Sequence, residues 1–480
     1  MAQQALGAGS TVPRKRAFFG ALDADGWAWA GVKAAIWLVI LILMLGYIPD
    51  RAYYLTVNRT VDLGVLAWSP VNFCPPENET LPCPAPVGAI APWHPSPAEL
   101  ALPAPRTDGT VVQVGTTVLY VGGSDGQAAQ SSVFVTSLAG TGNIGPWSEG
   151  PALPEPRSDA SVLLVSGSIY VFGGYDAAGA PTTSVYSITP DPTTGALPEW
   201  EVVEGIDLPE ARAGSAVAAA TDGILLIGGV GPDGPVATTW KSPLADDGSL
   251  GEWENEAALI QPQANASAAI VGDFVWLWGG HDANGPVGAV QRGSIGLPAA
   301  AGLPANENEG KVVQWAISDT VNLPAARDDA AGWHASGTLY LVGGADADGL
   351  RGELYWAVPT STGELPEWKH LPVSDLPFGL KGASPFATGP NAILVGGETQ
   401  DGPTTSSARA NTAPLSPFFQ LGLVGATIPG LKIEGEIGQQ LGYLNAAGAG
   451  TVNFVILLLI GWGFAHKEQA RGLIRRIVRR

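Results

Sequence analysis

At 480 residues and 46% hydrophobic content the chain has ample material for a buried core, and its 64 glycines and 40 prolines suit many short strands and turns. Ten of the 24 Lys and Arg but only three of the 44 Asp and Glu fall in residues 1–48 and 441–480, so the region between carries a net charge of about −27. That balance excludes nucleic acid as a partner of the central region, because phosphates would be repelled. It fits a soluble acidic domain or one that meets a basic partner.

Residues 1–26 read as a tail with a basic knot at Arg14-Lys15-Arg16. Residues 27–48 are apolar apart from Lys33, and as a helix they would rise about 33 Å, enough to cross a bilayer core. A cleaved signal peptide is the rival reading, but the apolar run is long for one and no A-x-A pattern follows it. A linker over 49–92 leads into the central repeats of 93–416. A Gly-rich connector follows over 417–445, too interrupted for a span and without a firm reading. A second membrane helix is expected over 446–465, ahead of a basic tail at 466–480. Basic residues flank each span on the side facing its chain terminus. Both termini are therefore expected in the cytoplasm, with everything between outside the plasma membrane. Gly448, Gly450, Gly461 and Gly463 allow close helix packing, and Asn453 would be costly facing lipid. These residues point to a helix partner, within the chain or on another membrane protein.

The linker holds the chain's two cysteines, Cys74 and Cys83. Their spacing, with no histidine beside them, is poor for zinc, and in an oxidising compartment a disulfide closing this short loop is expected. Sequons at Asn58, Asn78 and Asn265 lie in the same outer region.

The central region is built from one recurring unit, clearest from Leu153 to Trp200. Ala160–Val165 reads as a first strand, turned by Ser166-Gly167. Ile169–Phe172 is a second, ending in Gly173-Gly174. Ser184–Ile188 is a third, and Trp200 leads into a fourth. Four strands of this length cannot bury their own faces, so the unit must stack on copies of itself. Paired glycines recur at 122–123, 173–174, 228–229, 279–280, 343–344 and 396–397, and tryptophans at 93, 147, 200, 253, 315 and 368. The glycines let the chain leave a buried strand at positive φ, and each tryptophan supplies an apolar plate for the wedge between neighbours. The period of about 50 residues, with Arg, first strand, Gly-Gly and Trp in that order, resembles the kelch repeat. The resemblance implies an all-β, six-bladed propeller. Trp93 precedes the first Arg-led strand and the sixth unit lacks a trailing Trp, so the segment around Trp93 is expected as the outer strand of the sixth blade, closing the ring.

The candidate site is the polar set ahead of each first strand: Arg106, Arg157, Arg212 and Arg327, with Lys381 in the sixth unit and Asn265 in the fourth. In kelch proteins that this chain resembles, arginines at this place line the binding face and grip acidic groups. That implies a module for anionic peptides or glycans. The alternative is that each Arg bonds blade carbonyls and serves only the repeat. A second set, Asp125, Asp176, Asp233, Asp282, Asp346 and Asp401, follows the glycine pairs and suits turns; calcium would need several oxygens converging in one loop. No cofactor or metal site is legible, and the five histidines share no catalytic order with Cys, Asp or Ser. Kelch-like copper oxidases need a Tyr/His/Cys set that is absent from the ring. Sialic-acid mutarotases, also six-bladed, are the enzyme alternative, because an arginine-lined mouth would suit a sugar carboxylate. Two membrane spans are unexplained by that task.

Overall fold

The computed structural model describes residues 88–411 apart from 91, 139–143, 192–193, 298–305, 307, 318–320, 336, 361 and 389–390, together with the strands Phe418–Leu421 and Ala426–Lys432. Six four-stranded antiparallel sheets make the blades. Blade 2 shows the pattern, with strands at Ser161–Val165, Ser168–Phe172, Val185–Ile188 and Glu201–Val202. The expected strands are present to within a residue or two. The outer one is the shortest, which leaves little unpaired edge.

Closure is as expected. In blade 6, Ser384–Thr388, Asn391–Val395 and Ser407–Asn411 take His94–Pro95 as their fourth strand, in the register His94↔Arg409 and Pro95↔Ala408. Packing against this blade begins ahead of Trp93: Ala89 and Ile90 are fully buried, and Ser374 Oγ donates to the Ile90 carbonyl at 2.6 Å.

The core is a set of wedges between blades. Each repeat tryptophan packs with residues of its own blade and of the blade before it. Trp200 thus lies with Leu119 and Val133 of blade 1, Trp253 with Phe172 and Val185 of blade 2, and Trp315 with Leu225 and Ile227 of blade 3. These three indoles also donate across the wedge, to the carbonyls of Pro151, Ile206 and Ala257, each at 2.9 Å.

The paired glycines have a second reason to lack a side chain. All twelve have positive φ. In addition, the second glycine's N–H latches onto the next blade: Gly123 to the Arg157 carbonyl (2.8 Å), Gly174 to Arg212 (2.8 Å), Gly229 to Gln263 (2.9 Å), Gly344 to Leu380 (2.7 Å) and Gly397 to Arg106 (2.8 Å). A Cβ on the first glycine of each of these pairs would stand 2.2–2.6 Å from that carbonyl. The latch joins five seams. At the seam between blades 4 and 5 the described residues form none, and a Cβ on Gly279 would lie 3.6 Å from the Arg327 carbonyl.

Among the described residues no helix is long and apolar enough to cross a membrane. The expected spans at 27–48 and 446–465, Asn453 with its neighbouring glycines, both tails, and the Cys74/Cys83 pair all lie outside the described residues. Within the connector, Phe418–Leu421 pairs antiparallel with Ala426–Lys432.

Candidate functional site

The latch pattern fixes which residues are equivalent. The carbonyl that receives the Gly-Gly bond belongs to Arg106, Arg157, Arg212, Gln263 and Leu380, and Arg327 holds the same place in blade 5. In sequence these are the fifth residues of Leu-Pro-Ala-Pro-Arg, Leu-Pro-Glu-Pro-Arg, Leu-Pro-Glu-Ala-Arg, Leu-Ile-Gln-Pro-Gln, Leu-Pro-Ala-Ala-Arg and Leu-Pro-Phe-Gly-Leu, with the leading leucine buried each time. Lys381 and Asn265 therefore do not occupy the arginine position. Lys381 is one residue past it, bridged to Glu398 as Thr107 is to Ser124, and Asn265 is two residues past it.

The four arginines do not line a mouth of the channel. They are buried, Arg157, Arg212 and Arg327 at 1% exposure and Arg106 at 6%. Each donates from Nη1 to the carbonyl of the residue before it, and from Nη2 to the residue just ahead of the third strand of its own blade. Arg106 meets Ser132 Oγ at 2.7 Å, Arg157 meets Ser184 Oγ and Tyr186 Oη at 2.6 Å, Arg212 meets Thr238 Oγ1 at 2.7 Å, and Arg327 meets Glu353 at 3.0 Å. Each guanidinium lies 4.5–5.6 Å over an aromatic ring, that of Phe134, Tyr186, Trp240 or Tyr355. Glu155 and Glu210 add ion pairs at 2.8 Å. The physical reason is local. The Leu-Pro turn places the arginine against its own blade, where planar donors satisfy carbonyl and hydroxyl groups that no backbone partner reaches. Gln263 does the same in blade 4, donating to the Gly279 carbonyl at 2.7 Å.

The axis is lined instead by the residue two places on: Asp108, Asp159, Gly214, Asn265, Asp329 and Gly382, all with φ between 49° and 60°. Only Gly, Asn and Asp adopt this left-handed conformation at modest cost. Their backbones link head to tail round the channel. Asp159 N–H donates to Asp108 O (2.9 Å), Gly214 to Asp159 (2.7 Å), Asn265 to Gly214 (2.8 Å), Gly382 to Asp329 (2.9 Å) and Asp108 to Gly382 (2.9 Å). The link absent among the described residues, Asp329 to Asn265, falls at the same seam as the missing latch. The two glycines are required by their neighbours: a Cβ on Gly214 would stand 2.0 Å from Asn265 Oδ1, and one on Gly382 2.1 Å from Thr107 Oγ1.

This ring opens into an axial cavity of about 270 Å³. One carboxylate oxygen from each of Asp108, Asp159 and Asp329 lies within 4.8 Å of the others, and among the described residues this is the group with spacing suited to a cation. Burial raises all three carboxyls, and Asp159 and Asp329 rise well above the ordinary range because the charge of Asp108 adds to burial. The groups are enclosed by protein yet keep some contact with solvent through the cavity. Carboxylates so placed hold protons more readily than exposed ones and titrate as a group. Lys381 belongs to this neighbourhood. Burial opposes its charge, but Glu398 at 3.3 Å together with Asp329 and Asp108 outweighs it and raises the ammonium's pKa.

The hairpins after the glycine pairs rise on the same face, because first strands start and second strands end there. Asp125, Asp176, Asp282 and Asp346 cap their own turns, as at Asp176 Oδ1, which accepts from Ala178 N and Ala180 N at 2.8 and 2.9 Å. Asp233 and Asp401 sit further along their hairpins. Hydrogen bonds from Ala128, Ala180, Gln261 and Arg351 respectively hold Asp125, Asp176, Asp282 and Asp346 below the usual carboxylate range. The face is therefore anionic, with Lys381, Arg351 and His281 as its nearby bases, all in contact with acids. Missing from the sequence reading was the Asp/Asn/Gly position. Aligned on the Leu-Pro turn, the seventh residue is Asp, Asp, Gly, Asn, Asp and Gly, a column of left-handed formers.

Six blades, latched at five seams and completed by a closing strand, define a β-propeller built on Gly-Gly and Trp. A Kelch motif model matches residues 156–193. Beta-scruin of Limulus polyphemus is 28% identical over 236 residues, 47% of this chain and 23% of that protein. Kelch repeat protein M-T8 of Myxoma virus (strain Lausanne) is 32% identical over 136 residues, 28% of this chain and 24% of that protein. The matched stretch is thus about a quarter of the length of these curated relatives. A solved structure, "Structure of YjhT", aligns with a TM-score of 0.49 at 17% identity over 64% of this chain and 95% of that one. The chain is thus a β-propeller that carries a kelch motif and is similar to kelch-repeat proteins.

Proposed function

We propose that the propeller is a binding and scaffolding module whose contact surface is the face carrying the axial aspartates and the Asp-bearing hairpins, and that its partner is a protein presenting a basic segment. One observation carries this reading: the arginines are enclosed within the blades, while carboxylates crowd the face they were expected to arm. A basic segment meets complementary charge there, which supplies steering and orientation. The exposed apolar side chains Ile260 and Phe378, on the Leu-Pro loops of that face, add anchor area that charge alone lacks. The sugar-modifying alternative loses its footing, because it needed arginines at the mouth. Apolar stretches with basic outer flanks support a tethered propeller outside the cell membrane with both termini inside.

Full-length protein in mild detergent is titrated with basic and acidic peptides of equal length. Basic peptides are expected to bind with affinity falling steeply in salt, and a triple Asp125→Asn, Asp176→Asn, Asp282→Asn variant, which keeps the caps, to bind more weakly. Preference for acidic peptides would reverse the reading. Protease added to intact cells is expected to cut the propeller and spare tags at both ends; a digested terminal tag would overturn the topology.

A further inference from the structure

Among the described residues the seam between blades 4 and 5 lacks both backbone links that join the other blades, the Gly-Gly latch and the axial bond. It also holds a cavity of about 460 Å³, lined by Trp276, Val290, Arg292, Ile317, Glu364 and Leu365. Two hydrogen-bond donors sit in its wall without acceptors. Trp276 is 3% exposed and its Nε1 has no partner. Arg292 donates from Nη1 to the Gly363 carbonyl and lies 5.0 Å over the Phe274 ring, while its Nε is buried and unpartnered. Among the described residues Arg292 forms no ion pair, Glu364 included.

Blade 3 shows how the same place is filled when it is closed. Lys241 pairs with Leu225 in the register in which Arg292 pairs with Trp276. Its Nζ reaches Asp222 at 2.7 Å and, as Arg292 does, a carbonyl in the next blade's loop, here that of Gly310 at 2.7 Å. In blade 4 Phe274 stands where blade 3 has Gly223, and among the described residues no carboxylate joins the cation. A guanidinium edge and an indole N–H left without acceptors, between apolar walls, are a costly arrangement unless an acceptor arrives from outside.

We infer that this interblade cavity binds a small organic carboxylate, with its anionic head on Arg292 and Trp276 Nε1 and its hydrocarbon part against Val290, Ile317 and Leu365. The volume suits a ligand of a few to a dozen heavy atoms, and Arg with an indole donor prefers a planar acid to an alcohol or amide. The site is separate from the axial face and does not depend on the partner proposed for it.

The test titrates full-length protein with hexanoate and benzoate, and with hexanamide and benzamide, to about 10 mM, enough to saturate a Kd near 1 mM. Ligand-observed NMR and thermal shift report binding. The acids are expected to bind saturably and the amides at least ~10-fold more weakly, the scale of one charge-assisted hydrogen bond. Arg292→Met keeps the stem over Phe274 and is expected to abolish the acid signal. Val290→Trp fills the cavity without touching the charge and is expected to do the same. Both variants are checked for an unchanged circular-dichroism spectrum and a cooperative unfolding transition, which report an intact ring. No saturable acid binding, equal binding of acid and amide, or full binding by Arg292→Met in a folded ring would each overturn the assignment.

Discussion

The seam between blades 1 and 2 and the seam between blades 4 and 5 are built from the same repeat and end up differently. At the first, Gly123 N–H holds the Arg157 carbonyl at 2.8 Å, Asp159 N–H holds Asp108 O at 2.9 Å, and Trp200 Nε1 holds Pro151 O at 2.9 Å. At the second, the two backbone links are absent among the described residues and Trp368 is half-buried with an unpartnered Nε1. Side chains do the joining there: Trp278 Nε1 donates to Tyr340 O at 3.1 Å, and His281 Nδ1 meets Asp328 Oδ1 at 2.7 Å. Backbone latches are set by the repeat and cannot be tuned. Side-chain joints respond to substitution and to pH, and a seam that uses them is free to hold a cavity. Repeat residues close the ring, and departures from the repeat leave room for a cavity.

The comparison is tested most severely by deleting the plates. Trp200→Ala is expected to cost about 3–5 kcal/mol, the usual range for a large aromatic removed from a packed core. Trp368→Ala should cost less, about 1–3 kcal/mol, since that ring is half-buried. Glycine substitutions ask the same question of the backbone. Ala at Gly173 meets the Arg212 carbonyl at 2.3 Å and also takes a left-handed φ, whereas Ala at Gly279 bears mainly the second penalty, about 1–2 kcal/mol. Equal denaturant midpoint shifts for the two glycines would mean that the seams are not different.

Next in size is the arginine position. Arg157→Ala removes the donor to the Pro156 carbonyl and to the hydroxyls of Ser184 and Tyr186, and leaves a void over the Tyr186 ring, and should cost about 2–4 kcal/mol. Arg157→Gln copies what Gln263 does in blade 4 and should recover a good part of that. Loss of peptide binding with unchanged stability in Arg157→Ala would instead return the arginine to a ligand-contact role.

Much of this architecture was legible before any coordinates. Doubled glycines and a tryptophan at a fixed period require stacked four-stranded units, and a tryptophan ahead of the first unit with none after the last requires the closing strand around Trp93. What could not be read was direction. Arginine ahead of a strand looks the same in sequence whether its side chain turns to the channel or back onto its blade. The answer depends on Ser132, Ser184, Thr238 and Glu353, some 26 or 27 residues away, offering it partners. The slip that put Lys381 and Asn265 in the arginine column came from aligning on charge. The Leu-Pro turn, which pins the backbone, gives the right register, and with it the axial column of Asp, Asn and Gly.

That column yields a prediction of intermediate size. Burial and mutual repulsion raise the carboxyl pKa values of Asp159 and Asp329 in the folded ring, so the native state binds more protons than the unfolded chain between the unfolded value and the raised one. Stability from these groups is complete below the unfolded carboxyl range, near 3.9, and is lost as pH rises through the folded values. Asp329→Asn removes one participant without disturbing φ, as Asn265 shows at 50°. It should stabilise the ring at pH 7 by on the order of 1 kcal/mol and flatten the gain seen on mild acidification. An unchanged pH profile in that variant would show that the triad does not titrate as a group.

The smallest effect sits at the open seam itself. The hydrogen bond that His281 donates to Asp328, more than compensating for burial, raises its imidazole pKa. A raised histidine contributes stability that is complete below its unfolded value, about 6.5, and is lost as pH rises through the folded one. The pair is partly exposed, with His281 at 24% and Asp328 at 32%, so screening limits it to about 1 kcal/mol or less. His281→Gln is expected to destabilise the ring slightly at pH 6 and by progressively less as pH rises through the folded imidazole's value. Because the pair bridges blades 4 and 5, the consequence should be local. Backbone amides flanking the cavity, such as those of Trp276 and Ile317, should exchange faster in the variant at pH 6, and those beside Trp200 should not. Uniform exchange across the ring would mean that the blades open together and that the seam carries no independence of its own.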